Sequence, residues 1–315
     1  MSQSENNLSS SHSTFLKLLA ERPITLLKES SIVTREELET LFPNKHIIAC
    51  DFPVEGIEEN GEEILGGYKI GNITNIDHHA LTDRMAKHIS STTLAIEYVK
   101  NNQLKQGDVV VIHHTDCDSV LSSVIMRGIL SPDSKFNDAA IAADHTGQEN
   151  MIADLLQSIS DKRDLEFSLK NLELLLDNKD LEPEAKRLLQ TRYDDRIRAK
   201  KLVESGEFKS YGDVYFVKID ERIDGELMPA LIPNAAVILL AIPMKNNSSK
   251  LEIKVRLGFK AQKGFYIQQQ NLPDFGGRWN AGSTKRSGGT LLSVEDYARI
   301  VKERLDKYAA GQKRG

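Results

Sequence analysis

The stretch DVVVIHHTDCDSVLSSVIM, Asp108 to Met126, decides how the rest of the chain is read. Val109 to Ile112 is an unbroken β-branched apolar run, short enough for a strand buried on both faces. It stops at His113-His114-Thr115-Asp116-Cys117-Asp118. Beyond it, Val120, Leu121, Val124 and Ile125 recur at helical spacing, with Ser119 near the N-cap. A buried parallel strand that delivers polar side chains to the mouth of a helix is where open α/β sheets place their chemistry. Two carboxylates one residue apart, beside two imidazoles, suit a divalent cation better than a core.

Working outward, three further apices share this character. HIIAC, residues 46–50, reads as a buried strand ending at Asp51. Lys69 to Ile76 reads as a strand ending at Asp77-His78-His79. Ala139 to Ala143 reads as a short apolar strand ending at Asp144-His145. The strand ends of a parallel sheet share one edge, so these groups converge although they are far apart in the chain. Five of the eight histidines fall in the apices other than Asp51. Taken singly, each has a plainer reading: a turn with surface histidines, a capping aspartate, and for His145 a supporting partner rather than a ligand. Taken together, so many carboxylates would repel one another unless cations lay between them. Two cations about 3.5–4 Å apart would offset that repulsion and make a hydrolytic site. Mn²⁺, Mg²⁺, Fe²⁺ or Co²⁺ fits this donor set. With two cysteines in all, Cys50 and Cys117, there is neither a thiolate zinc cluster nor a disulfide framework, and both read as small buried fillers.

The expected fold class is α/β: a parallel doubly wound N-terminal domain, a helical bridge, and a smaller α/β C-terminal domain. Residues 1–13 read as a disordered start and 14–148 as the metal-binding catalytic domain. Residues 149–206 read as the bridge, with Pro183 as its one break, and 207–315 as a substrate-binding domain. Thr14 to Ser30 suggests helix interrupted at Pro23, and Thr34 with Glu37 forms a capping box. Ser90, Ser91 and Thr92 cap a helix, TLAIEYVKN. In the last domain VYFVKI, AAVILLAIP and LEIKVRLGF read as strands, followed by the glycine-dense FGGRWNAGSTKRSGG and a helix opened by Ser293.

The 315 residues carry a net charge of −5, which argues against general coating of nucleic acid. Residues 251–315 nevertheless hold 13 Lys+Arg against 6 Asp+Glu, so an acidic metal-binding half faces a basic one. That asymmetry suits an anionic ligand held between them, and a solvated C-terminal helix accounts for part of it. No apolar run spans a bilayer, no secretory pattern opens the chain, and a reducing cytoplasmic setting is expected. No GxGxxG follows a strand, which excludes a dehydrogenase-like nucleotide binder.

These motifs together resemble the DHH phosphoesterase superfamily, which includes RecJ exonucleases, oligoribonucleases of the nanoRNase type and manganese-dependent inorganic pyrophosphatases. TNIDHH followed by SSTTLAIEYV, DCDSVLSS, and ADHTG resemble its N-terminal motifs, and GGRWNAGS resembles the glycine-rich loop of the DHH-associated C-terminal domain. The likeness covers about residues 45 to 305. It implies hydrolysis of phosphoester or phosphoanhydride bonds with two divalent cations, Mn²⁺ first, with Mg²⁺ or Co²⁺ as options. By matching motif it implies Asp51, His78, Asp116, Asp118 and Asp144 as metal ligands and His79 at the scissile phosphate, with Asp77 orienting the pair. It implies Arg256, Gly276, Gly277, Arg278 and Asn280 on the substrate side.

Three departures stand out. The aspartate-x-aspartate motif follows DHH instead of preceding it. Ile112 occupies the usual metal-histidine position, so His113 or His114 substitutes (His114 being assigned a catalytic place) or that ligand is absent. Arg278 replaces a histidine. The expected partner is a small phosphorylated substrate or short oligonucleotide, with no membrane and no stable long nucleic acid, and a homodimer as one option. Trp279 either stacks on a base or anchors its own loop. The rival reading is a non-catalytic phosphate- or nucleotide-binding module on the same fold.

Overall fold

A computed structural model describes residues 13–28, 33–79, 88–102, 104–105 and 107–312. The expected disordered start lies, apart from Ser13, outside the described residues. Val109–Ile112 is a strand, as its composition requires, and it lies between Ile24–Leu26 and Ile47–Cys50, parallel to both. Ile73–Ile76 adds in parallel on the far side of Ile47–Cys50, and Gly67–Ile70 and Glu62–Ile64 continue antiparallel to the edge. The chain thus visits the four parallel strands in the order edge, third, fourth, second.

Alternation along the strands divides their side chains between two cores. Ile48, Cys50, Val110 and Ile112 face one way, onto the helices Ser91–Asn101 and Cys117–Met126; Ile47, Ala49 and Val111 face the other, with Leu38 of the helix Arg35–Leu41. Each fully buried Ile, Val or Leu among them contributes about 1.5–3 kcal/mol relative to exposure. Burial of this extent on both faces is what allows the sheet's rim to hold carboxylates out of water.

The capping signals are realised. Thr34 accepts from the Glu37 N–H while Glu37 accepts from the Thr34 N–H. Ser90 and Thr93 make the same reciprocal pair ahead of Ser91–Asn101. Four sequence expectations need correction. The segment after Pro23 is not helix but the edge strand Ile24–Leu26. The N-cap of Cys117–Met126 is Asp116, whose side chain accepts from the Ser119 N–H at 3.0 Å; Ser119 lies within the helix. Ala139–Ala143 is not a strand: helix runs over Ser134–Ile141 from an Asp133 cap and continues as a π-helical turn, Ala142–Thr146. Alanine favours helix more than any other residue, and a run with only one β-branched member has little to hold it extended. The single strand expected over Lys69–Ile76 is in fact two, turned at Gly71.

Helices Met151–Ile159 and Leu165–Leu176 pack into the same apolar cluster as Cys117–Met126. The helix Pro183–Glu204, with Pro183 in its first turn, reaches the second sheet through Ala199, Leu202 and Val203. That sheet runs Gly276–Gly277, Ala281–Ser283, Asn247–Leu257, Val237–Met244, Val214–Lys218, Lys209–Tyr211, with one parallel pairing, Val237–Met244 on Val214–Lys218. The helix Val294–Gln312 covers one face through Tyr297, Ala298, Val301 and Leu305. Arg192, midway along Pro183–Glu204, ties the halves together, reaching Asp154 and Asp224 at 2.8 Å each. The chain is a two-domain α/β protein. Among the described residues no helix is long and apolar enough to cross a membrane.

Candidate metal centre

Asp51 follows its strand with φ at +62°, a left-handed conformation uncommon for any residue but glycine. The turn is held from below by Asn75, whose amide donates to the carbonyls of Ala49 and Phe52 and accepts from the Val54 N–H. Two hydroxyls aim the carboxylate: Ser91 donates to one oxygen at 2.9 Å and Ser119 to the other at 2.6 Å. Asp118 is gripped differently. Its two oxygens accept from the backbone N–H groups of Ser91 and Thr92, 2.7 Å each, at the start of Ser91–Asn101. A helix N-terminus with free amides suits a carboxylate, so this helix fixes both aspartates.

Asp51, His78, His79 and Asp144 each present one ligand atom within 4.8 Å of the other three. His78 is fully buried, and its Nε2 stands 3.2 Å from Asp144, 3.5 Å from Asp118 and 3.8 Å from Asp51. Despite these neighbours neither His78 nitrogen makes an aligned hydrogen bond. A buried imidazole surrounded by three carboxylates and squarely aligned with none is an arrangement that a divalent cation satisfies, and the donor set of oxygen and imidazole nitrogen fits one.

His79 is already occupied. Its Nδ1 donates to Asp77 at 2.7 Å, and its Nε2 accepts from Arg278 at 2.5 Å, a network that fixes the neutral Nδ1–H tautomer. Asp116 is half-buried and spends one oxygen capping its helix. Asp116 and Asp118 therefore flank the four-residue group without belonging to it. His113 is buried beside Phe52, and exposed His114 meets it through Nε2 at 3.2 Å. Neither joins the group. Cys117 packs in the apolar core, as does Cys50.

The electrostatics follow from crowding. Burial, then the charges of Asp118, Asp116 and Asp144, push Asp51 well above the usual carboxylate range against the Ser119 bond. Asp118 is pushed up to about 6, burial and Asp144 outweighing His78 and the Thr92 contacts. Burial would raise Asp144 too, but Arg278 and His78 hold it well below the ordinary range. Burial would lower His78, and the carboxylates of Asp144, Asp118 and Asp77 reverse that. Burial and His78 together take His145 down to about 3.

A hairpin of the second domain reaches into this cluster. Gly276–Gly277 pairs with Ala281–Ser283, and the connecting residues Arg278, Trp279 and Asn280 project toward the first domain or back into their own. Arg278 approaches Asp144 at 3.7 Å as well as His79. Asn280 pairs with His145 Nδ1 at 3.1 Å, while His145 Nε2 donates to the Ile89 carbonyl. Trp279 is 3% exposed and packed against His145 and Tyr266, so it anchors its loop. Arg256, expected on the substrate side, donates instead to the Asp144 backbone carbonyl at 3.0 Å and meets Glu226 at 3.4 Å. Sequence reading missed Ser91, Ser119 and Asn75 as supports. The start of Ser91–Asn101 did signal a place for a carboxylate, since free amides at a capped helix start attract one, and Asp118 takes it; nothing local signalled which hydroxyls reach Asp51.

No protein-family model and no curated protein sequence matches the chain. Among solved structures, a pGpG-specific phosphodiesterase, PggH from Vibrio cholerae, is similar at 11% identity and TM-score 0.43, over 67% of this chain and 87% of the other. An exopolyphosphatase-related protein from Bacteroides fragilis is similar at 17% identity and TM-score 0.36, over 89% and 76%. Likeness this loose carries no activity from one chain to another, because function resides in the site and not in the fold.

Proposed function

We propose that the chain is a metal-dependent phosphohydrolase of the DHH type, acting on a small phosphorylated nucleotide or short oligonucleotide between its two domains. The observation that carries this reading is the buried meeting of Asp51, His78, His79 and Asp144, with His78 Nε2 facing three carboxylates, Asp144 nearest at 3.2 Å, and squarely aligned with none. Asp51, His78 and Asp144 would hold divalent cations, two in number and Mn²⁺ first, with Asp118 and Asp116 at the margin. Bound there, such cations polarise a phosphoryl oxygen and lower the pKa of a water.

The chain's own groups supply the rest. Asp77 keeps His79 in one tautomer, so that the nitrogen facing Arg278 is a proton acceptor. Arg278 is the cation nearest the cluster from the second domain, and its planar fork suits phosphate better than a histidine would. A phosphate entering between Arg278 and His79 would take over the arginine's donors, leaving Asp144 free of its partial neutralisation by Arg278. Burial of these groups excludes bulk water and strengthens each charge interaction.

The test is hydrolysis of dinucleotides, 3′-phosphoadenosine-5′-phosphate, cyclic dinucleotides, pyrophosphate and polyphosphate, each with Mn²⁺, Mg²⁺ or EDTA. Turnover of at least one nucleotide with Mn²⁺, abolished in EDTA and in Asp144→Asn, is expected. Full activity in Asp144→Asn would sink the assignment. A non-catalytic phosphate-binding module is the second reading, favoured by Asp118, whose oxygens both already accept from amides, and by Arg278, already paired. It requires phosphate binding without turnover on the whole panel.

A further inference from the structure

The π-helical turn that carries Asp144 is not self-sufficient. It closes with the Gly147 N–H on the Ala142 carbonyl at 2.9 Å, and the chain then leaves helical geometry through Gly147 at φ +68°. The Asp144 carbonyl is met from the other domain, by Arg256. Arg196 of Pro183–Glu204 takes the next orphans, the carbonyls of Gly147 and Gln148, at 2.8 and 3.0 Å. A Cβ on Gly147 would stand 2.1 Å from the Glu226 carbonyl oxygen, so the turn also seats directly on second-domain backbone. Glu226 in turn faces Arg256 and Gln157. π-turns are rare and concentrate at functional sites, where they need external support.

We infer that Arg256 is a positioning residue: through the Asp144 carbonyl it fixes the turn that aims the Asp144 carboxylate at the cation site, and it does not itself contact substrate phosphate. This rests on the metal-centre reading proposed above. The side chain is only 12% exposed, and both ends of its fork are committed to protein oxygens, which leaves it badly placed to receive a ligand. Groups that orient metal ligands from behind change metal affinity even with no substrate present.

The experiment measures Mn²⁺ binding to the substrate-free full chain by calorimetry, alongside kcat and KM, in wild type, Arg256→Met and Arg256→Lys. Arg256→Met should weaken Mn²⁺ binding about tenfold. Arg256→Lys keeps a cation in place and preserves the fold, but a single point of donation cannot serve both the carbonyl and Glu226, and about threefold weakening is expected. At saturating Mn²⁺ the KM of both variants should stay near that of wild type. If either folded variant binds Mn²⁺ as wild type does, the inference is overturned, and if KM alone rises it is overturned in favour of a substrate contact at Arg256. Wild type that binds no Mn²⁺ would instead overturn the metal-centre reading, so the two failures are distinguishable.

Discussion

Asp51→Asn is the substitution whose outcome follows most directly from the geometry. Asp51 and Asp144 present oxygens within 4.8 Å of each other, both buried. Two full charges at that separation repel by about 3 kcal/mol at an effective dielectric of about 20. Crowding already drives Asp51 toward its protonated form, so the recoverable part is smaller, about 1–2 kcal/mol. The amide is sterically equivalent to the carboxylate. Its NH₂ can donate to a serine hydroxyl, and the hydroxyls of Ser91 and Ser119 can rotate from donor to acceptor. Asparagine also tolerates φ +62° at least as well as aspartate. In EDTA the variant should therefore melt higher than wild type, by about 1.5 °C per kcal/mol for a chain of 315 residues, or about 2 °C in all. Mn²⁺ should reverse the order. A ligand present at about a hundred times its Kd stabilises by about 2.7 kcal/mol, and the variant loses a charged ligand that would provide much of that. Scanning fluorimetry of both proteins, in EDTA and in a Mn²⁺ series, reads both effects. A variant that melts lower in EDTA, with an undiminished Mn²⁺ shift, would refute the idea that these carboxylates are assembled against their own repulsion for a cation.

Two other outcomes are expected. Asp118 should make metal-free stability rise as pH falls from 7 toward 5: the folded chain holds it at about 6, whereas an unfolded aspartate titrates near about 3.9, so between those values the native state binds the extra proton. His145, held down to about 3 in the fold, opposes it in the same window, because only the unfolded imidazole takes up a proton there. Melts of wild type and His145→Gln in EDTA separate the two: the variant should gain stability on acidification relative to wild type, and a steady loss in the variant would contradict the Asp118 assignment. Gly277→Ala should cost about 1–3 kcal/mol, because its Cβ would lie 2.4 Å from the Gly282 Cα and 2.5 Å from the Ala281 carbonyl, backbone that cannot rotate aside. Activity should fall further than the melting temperature implies, since the hairpin presents Arg278; Gly107→Ala, with nothing within 4 Å, is the neutral control.

Much of this site was legible because strands announce themselves by composition. Four β-branched residues in Val109–Ile112 and the apolar Ile47–Cys50 require burial on both faces, and parallel pairing puts Asp51 and His113 at one rim. Ile73–Ile76 brings Asp77, His78 and His79 to the same rim. Asp118 and Asp116 were found for a weaker reason, since the same motif also serves as a helix cap, and Asp116 does serve so. The supports were not legible. That Ser91 and Ser119 both reach Asp51 depends on how two helices pack on one sheet face, a tertiary fact with no local signature.

Asp144 shows where the sequence argument succeeds by the wrong route. A five-residue apolar run cannot be told from helix by periodicity, and the deciding cue was content: four alanines and one isoleucine lean toward helix. Read as a strand, the run predicts Asp144 at the rim because all parallel strands end there. In the structure nothing about the sheet places it. The helix Ser134–Ile141 ends in a π-turn, Gly147 lets the chain leave, and Arg256, Arg196 and the Glu226 backbone hold the turn in place. Asp51 and His78 therefore owe their positions to the first domain alone, whereas Asp144 owes its position to both. On the proposed reading the cation site is complete only when the second domain is docked, which couples the placement of Arg278 to that of Asp144 through the same interface.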